Sequence, residues 1–281
     1  MIPAKFEYRR AGSVDEAIGW LREDPDDAKL LAGGHSLLPL MKLRLATPGV
    51  LVDVGRIDGL SYVRDAGDHV AIGALTRHRD LETSEVARAH APLLARVAAQ
   101  IGDPQVRHRG TIGGSLAHGD PASDLPAAAL AYGATFVAQG PNGTRQIPAD
   151  EFFLGFLETA LQPDEMLTEI RVPKSGGASA FQKFNRRAQD WAIVGVAAVL
   201  DGTPRVALVN MGPTPVRARA ASGCGRSRPA ARLTLGIDGL GILAPYRHFM
   251  RELAVGAYHY SLLIFGHGAE ISMIYSGFDL D

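Results

Sequence analysis

Apolar positions near the start of the chain recur at helical spacing. Val14, Ile18 and Leu21 fall on one face with Trp20 beside them, and Ser13-Val14-Asp15-Glu16 is a capping-box pattern. An amphipathic helix is predicted from Ser13. Short continuous apolar runs then mark buried strands at Leu30 to Ala32, Val50 to Val54 and Val70 to Ala74, with a helical Leu37 to Met41 segment between the first two. Thr76 reads as the cap of a short helix, and residues 86 to 100 as a longer one rich in Ala and Leu. Ile101 to Ser123 is polar and rich in glycine, which predicts an irregular loop outside the core. A small helix near 125 to 132, a strand at Thr135 to Ala138 and an extended Met166 to Pro173 segment complete this part.

Lys174-Ser175-Gly176-Gly177 is the most linker-like stretch, and a domain boundary is expected there. Beyond it, Ala180 to Phe184, Ile193 to Leu200 and Val206 to Val209 are strand-like runs separated by turn residues, as in a small sheet domain. A length of 281 residues with 46% apolar content suits two globular domains. Thirty acidic against 29 basic side chains give no general attraction to nucleic acid or an anionic membrane, so any anion site must be local. Cys224 is the one cysteine, so this chain alone supplies neither an internal disulfide nor the thiolates of an iron–sulfur cluster. The N-terminus lacks a secretory h-region, and no run of about 18 uncharged apolar residues spans a bilayer, which predicts a cytoplasmic protein without a membrane span.

Two glycine pairs carry the candidate chemistry: Ala32-Gly33-Gly34-His35-Ser36 and Thr111-Ile112-Gly113-Gly114-Ser115. Glycine tolerates positive φ and has no Cβ, so backbone amides in such loops approach an anion closely, and each loop adds hydroxyls that donate to phosphate oxygens. Two such loops suit a pyrophosphate. The first lacks the G-x-G-x-x-G spacing of the Rossmann fingerprint and the Walker pattern is missing, so ordinary NAD and ATP folds gain no support. No nucleophile, base and orienting group form a recognisable catalytic motif, and no His or carboxylate spacing argues for a metal.

Read in order, Ala32 to Leu37, Gln105 to His118 and Asp120-Pro121-Ala122-Ser123-Asp124-Leu125-Pro126 resemble the FAD-binding medium subunit of the carbon monoxide dehydrogenase and xanthine dehydrogenase group of molybdenum hydroxylases. Phe152 to Gly155, Leu161 to Leu167 and Lys183 to Val196 extend the likeness to about residue 220. The resemblance implies an α+β chain. An FAD-binding domain of two α/β subdomains (PCMH-type), about 1–54 and 55–174, would precede a smaller sheet-plus-helices domain over 178–281. Ala32, Gly33, Gly34, His35 and Ser36 with Thr111, Ile112, Gly113, Gly114 and Ser115 would surround the FAD pyrophosphate. His118 and Asp124 would lie further along the second segment, Leu167 near the flavin ring, and Lys183 against the cofactor, where a cation favours electron arrival. The implied function is electron transfer within a complex. A small partner subunit with two-iron iron–sulfur clusters would feed the FAD, a large partner would hold the molybdenum cofactor, and a dimer of heterotrimers would result.

Bare residues leave other readings open. His35 and His118 also suit ordinary polar loops, Asp124 the cap of the next helix, and Lys183 a solvated strand. Arg186, Arg187 and Asp190 suit a surface charge cluster, a docking patch or a cofactor contact. A free-standing flavin reductase and a flavin-free structural subunit are the competing functions. After Ala220 the likeness fades into Ser222-Gly223-Cys224-Gly225; Tyr246 to Leu253 is similar to the family's final helix, but the aromatic ending through Ile274-Tyr275 is not.

Overall fold

Ser13 opens the first helix as its spacing predicts: its side chain accepts from the Glu16 amide, while Glu16 accepts from the Gly12 amide at 2.6 Å. In the computed structural model, which describes residues 2–219 and four strand segments between 232 and 277, this helix is the second element of a small α/β unit. The unit runs β1 (Glu7–Arg10), α1 (Val14–Glu23), β2 (Ala28–Leu31), α2 (Leu37–Lys42) and β3 (Val50–Asp53). Both β1 and β2 pair in parallel with the central β3, the arrangement that helical crossovers permit. Ala17, Leu21, Val50 and Val52 form its core, and Leu75 and Met166 reach in from the next unit.

The next unit contains β4 (Val63–Asp65), β5 (His69–Gly73), α3 (His78–Thr83), α4 (Glu85–His90) and α5 (Pro92–Ala98). It continues with α6 (Pro104–Arg109), α7 (Ile112–His118), α8 (Asp124–Tyr132), β6 (Thr135–Gly140) and β7 (Gly143–Pro148). The last elements are α9 (Ala149–Phe152), a hairpin of β8 (Phe153–Gly155) and β9 (Glu158–Thr159), and β10 (Met166–Pro173). Five of its seven strands form an antiparallel sheet in the order β4-β5-β10-β6-β7.

Three local expectations need correction. The single helix over 86 to 100 is broken between Ala91 and Pro92: proline cannot donate to the preceding turn and instead sits in the first turn of α5. Thr76 does not cap α3, which starts after Arg77; its hydroxyl donates to the Tyr62 carbonyl and accepts from the Tyr62 amide. Most importantly, Ile101 to Ser123 is not an irregular loop outside the core. Asp103 caps α6 with Pro104 behind it, Thr111 caps α7, and Ile112 and Leu116 are fully buried.

Helix α8 is buried along its whole length, as befits a helix apolar on every side. It lies between the five-stranded sheet and a second antiparallel sheet of β11 (Ala178–Phe184), β12 (Val194–Asp201), β13 (Thr203–Val209) and β14 (Val216–Arg217). One core cluster accordingly runs from Val70 and Ile72 through α8 to Ala197, Ala207 and Val209. The remaining described segments, β15 (Arg232–Gly236), β16 (Phe249–Val255), β17 (Tyr258–Phe265) and β18 (Glu270–Gly277), pair in the order β15-β18-β17-β16. Where the resemblance predicts a helix near Tyr246 to Leu253, residues 249–255 are thus a strand. Cys224 lies outside the described residues.

Candidate functional site

A cavity of about 500 Å3 opens where the loop after β2, the segment from α6 to α7 and the end of β11 converge. Every site residue expected from the sequence lines it except Ile112. Ile112 points the other way, fully buried in the core, so it anchors the loop from behind.

The two glycine loops touch. A Cβ on Gly33 would overlap the carbonyl oxygen of Arg109 and stand 2.8 Å from Gly110 Cα, while one on Gly113 would stand 2.6 Å from the Ala74 Cβ. Both glycines therefore allow backbone to pack on backbone. Their amides differ in availability. In the second loop, the Ile112 and Gly113 amides donate to the carbonyls of Thr76 and Ala74, and those of Gly114 and Ser115 donate to the Thr111 hydroxyl and carbonyl. In the first loop, the amides of Gly33 to Ser36 have no partner among the described residues, and Ser36 makes no side-chain cap. Gly34 holds φ +76°, which a side chain disfavours. Free donors thus come from the first loop, and hydroxyls and close packing from the second.

Asp124 is not the cap of α8; Ser123 occupies that position and Asp124 opens the first turn. Nor is Lys183 a solvated lysine. Its Nζ donates to Asp124 Oδ2 at 2.7 Å, both side chains being about 95% buried, and to the Gln100 carbonyl at 3.4 Å. Burial pushes the Asp124 carboxyl up, against the opposing pull of the Lys183 ammonium. The other carboxylate oxygen, Oδ1, is buried without a partner. The pair therefore leaves one buried acceptor unpaired in a residue that lines the cavity, and the lysine's charge is largely matched within the chain.

Leu167 sits beside a bulge: β10 shifts register between Leu167 and Glu169, and the Thr168 carbonyl turns to accept from the Ala74 amide. This places Met166 and Leu167 on the cavity wall together with Leu75. His118 is half-buried, and burial holds its imidazole below the usual range. His35 stands exposed at the edge.

Of the lining residues that escaped the sequence reading, two stand out. Trp191 is 57% exposed on the rim beside Gln189 and Asp190. The neighbouring Arg186 and Arg187 are exposed and pair with Asp190, which fits a surface charge cluster. His78, buried in the wall, is the other. A lone indole and a lone imidazole have no motif around them, so only the fold reveals their position. Among the described residues no group of His, Cys, Asp or Glu is arranged to hold a metal, and no helix is long and apolar enough to cross a membrane.

Loops, free amides, an unpaired acceptor and an apolar wall fit a dinucleotide with an aromatic ring system. Residues 4–175 match the family described as "FAD binding domain in molybdopterin dehydrogenase". The carbon monoxide dehydrogenase medium chain of Hydrogenophaga pseudoflava is 49% identical over 236 residues, 81% of either chain. A solved structure of that organism's carbon monoxide dehydrogenase superposes with a TM-score of 0.76 at 51% identity, covering 78% of this chain and 79% of that one. The 6-hydroxypseudooxynicotine dehydrogenase complex subunit alpha of Paenarthrobacter nicotinovorans is 40% identical over 79% of this chain and 78% of its own. The chain belongs to the FAD-binding medium subunits of the molybdenum hydroxylases, oxidoreductases built from several subunits. FAD is its cofactor.

Proposed function

We propose that the chain holds FAD in this cavity, between iron–sulfur clusters on a small partner subunit and an external electron acceptor, while a large partner carries the molybdenum cofactor. The single observation that carries the reading is the convergence of both glycine loops with the buried Lys183–Asp124 pair on one cavity. When bound, FAD supplies the redox chemistry, accepting electrons singly or in pairs. The chain's own residues bind and orient it. The free amides of Gly33 to Ser36 and the Ser36 hydroxyl offer donors to the diphosphate, with the Thr111 and Ser115 hydroxyls facing them. Asp124 Oδ1 offers an acceptor to a sugar or ribitol hydroxyl. Met166, Leu167 and Trp191 offer apolar and aromatic surface to a flat ring.

We also divide the chain into an FAD-binding domain over 1–174, with subdomains about 1–54 and 55–174, and a domain from 178 onward. The three-stranded sheet, the five-stranded sheet and the sheet from β11 onward support that division. A dimer of heterotrimers is the assembly proposed. The substrate belongs to the large partner: a relative named for carbon monoxide at 41% identity and one named for 6-hydroxypseudooxynicotine at 40% are similarly alike to this chain.

The test is the visible spectrum of the freshly purified chain and chromatography of the cofactor released by heat. Flavin absorption with released FAD, no iron–sulfur shoulder and no oxidation of carbon monoxide, aldehydes or purines is the expected result. A colourless chain that takes up no added FAD would favour a structural subunit, and rapid substrate turnover by the chain alone would overturn the subunit reading.

A further inference from the structure

His78 occupies the wall directly beneath the second glycine loop. Its backbone amide donates to the Gly110 carbonyl at 2.9 Å, and neighbouring Arg77 bridges to Thr111. The imidazole edge lies where a side chain on Gly110 would be, with Cδ2 2.7 Å and Nε2 2.8 Å from the position of a Cβ there. Gly110 is also the residue against which Gly33 packs. Imidazole, Gly110 and Gly33 thus form a stack that links α3 to both loops. The ring is buried, yet its Nδ1 has no hydrogen-bond partner.

The charged groups that act on this ring are cationic. His35 approaches from the loop after β2 and Arg107 from α6, and both disfavour a charge on it. Arg107 is itself engaged by Glu82 at 3.0 Å and by the carbonyls of Ile101 and Gly102. Burial adds to their effect and holds the His78 imidazole at about 4. What this ring lacks is an anion of its own, since Glu82, the carboxylate of this cluster, is taken up by Arg79 and Arg107. The donors of Gly33 to Ser36 line the same cavity, so the ligand they suit brings that anion with it.

We propose that His78 is a further cofactor-site residue whose imidazole takes up a proton as the diphosphate of FAD enters the cavity, so that FAD binding is coupled to proton uptake. The inference rests on the FAD reading above. Its sign follows from linkage: an anion set beside a depressed imidazole raises its affinity for a proton, and by reciprocity a lower pH then tightens FAD binding.

The experiment is titration calorimetry of FAD into the flavin-stripped full chain at about pH 5.5, in two buffers of different ionisation enthalpy, so that proton uptake appears as a buffer-dependent heat. Wild type is expected to take up about half a proton or more per FAD. His78→Gln and His78→Phe lose that uptake, whereas His69→Gln and His90→Gln, at residues that do not line the cavity, keep it. Uptake that persists in both His78 variants overturns the proposal and leaves FAD binding intact. Absence of any binding heat in wild type, at acid and neutral pH alike, overturns the cofactor reading and the proposal together. Should the His78 variants fail to fold, wild-type NMR decides: the imidazole titrating near pH 4 without FAD is expected to titrate higher with it, and an unchanged midpoint refutes the coupling.

Discussion

Burial fixes the energetics of the two most unusual side chains, His78 and Lys183. The His78 imidazole titrates at about 4 in the fold against 6.5 when free, so between those values the unfolded chain binds a proton that the folded chain refuses. Its contribution is fully present above pH 6.5 and is lost as pH falls towards 4, about 3 kcal/mol in all. Denaturant unfolding of the flavin-free chain at pH 7 and at about pH 4.5 should show this loss, and His78→Phe should flatten it. Lys183→Met leaves the Asp124 carboxylate buried and unpaired, which should cost about 3 kcal/mol or more and weaken FAD retention. The double variant Lys183→Met, Asp124→Leu should recover most of the stability but not the flavin, because it removes both the buried charge and the acceptor; equal loss in single and double variants would refute the pairing. Such roles were only partly legible. The sequence drew attention to Asp124 and Lys183 through a resemblance, but their partnership spans 59 positions and no local pattern carries it.

Elements whose start and stop signals are local were readable, and those that glycine disguises were not. Helix α1 is announced by its capping box and apolar spacing. Helix α7 contains two consecutive glycines, which read as a loop, although Thr111 as cap and Gly119 at φ +65° behind its end are both helix-boundary signals. The structure explains the glycines: α7 lies against the end of β5 so closely that no side chain fits at Gly113. Two substitutions separate propensity from packing. Gly19→Ala in α1, where nothing lies within 4 Å, should stabilise the chain by about 1 kcal/mol. Gly113→Ala should instead destabilise it by about 1–3 kcal/mol and lower FAD content, since the overlap with Ala74 outweighs the same helical gain. Thermal unfolding of both variants checks the opposite signs. Gly33→Val belongs with the second case, because it drives the first loop off Arg109 and Gly110; full flavin stoichiometry in that variant would refute the loop assignment.

At the scale of the molecule, the strands on either side of Lys174 to Gly177 follow from the alternation of apolar runs, and the α+β class follows from the resemblance. How the sheets meet does not. Helix α8 is apolar beyond Asp124, and such a helix says only that it is buried, not which two sheets enclose it. Likewise, the cavity draws Gly33 to Ser36, Gly113 to Ser115, and Lys183 with Trp191 from three sheet units well apart along the chain.

That dispersal has a consequence for synthesis. No segment emerging from the ribosome before Trp191 contains a whole site, so FAD capture must follow translation of at least two-thirds of the chain. A ligand that binds only the completed arrangement then acts as a tie among parts that would otherwise open independently, stabilising them in proportion to its saturation. Amide exchange in β2, α7 and β11 should accordingly slow together when FAD is added, and uncoupled protection of β11 would show that the third wall does not share in the tie.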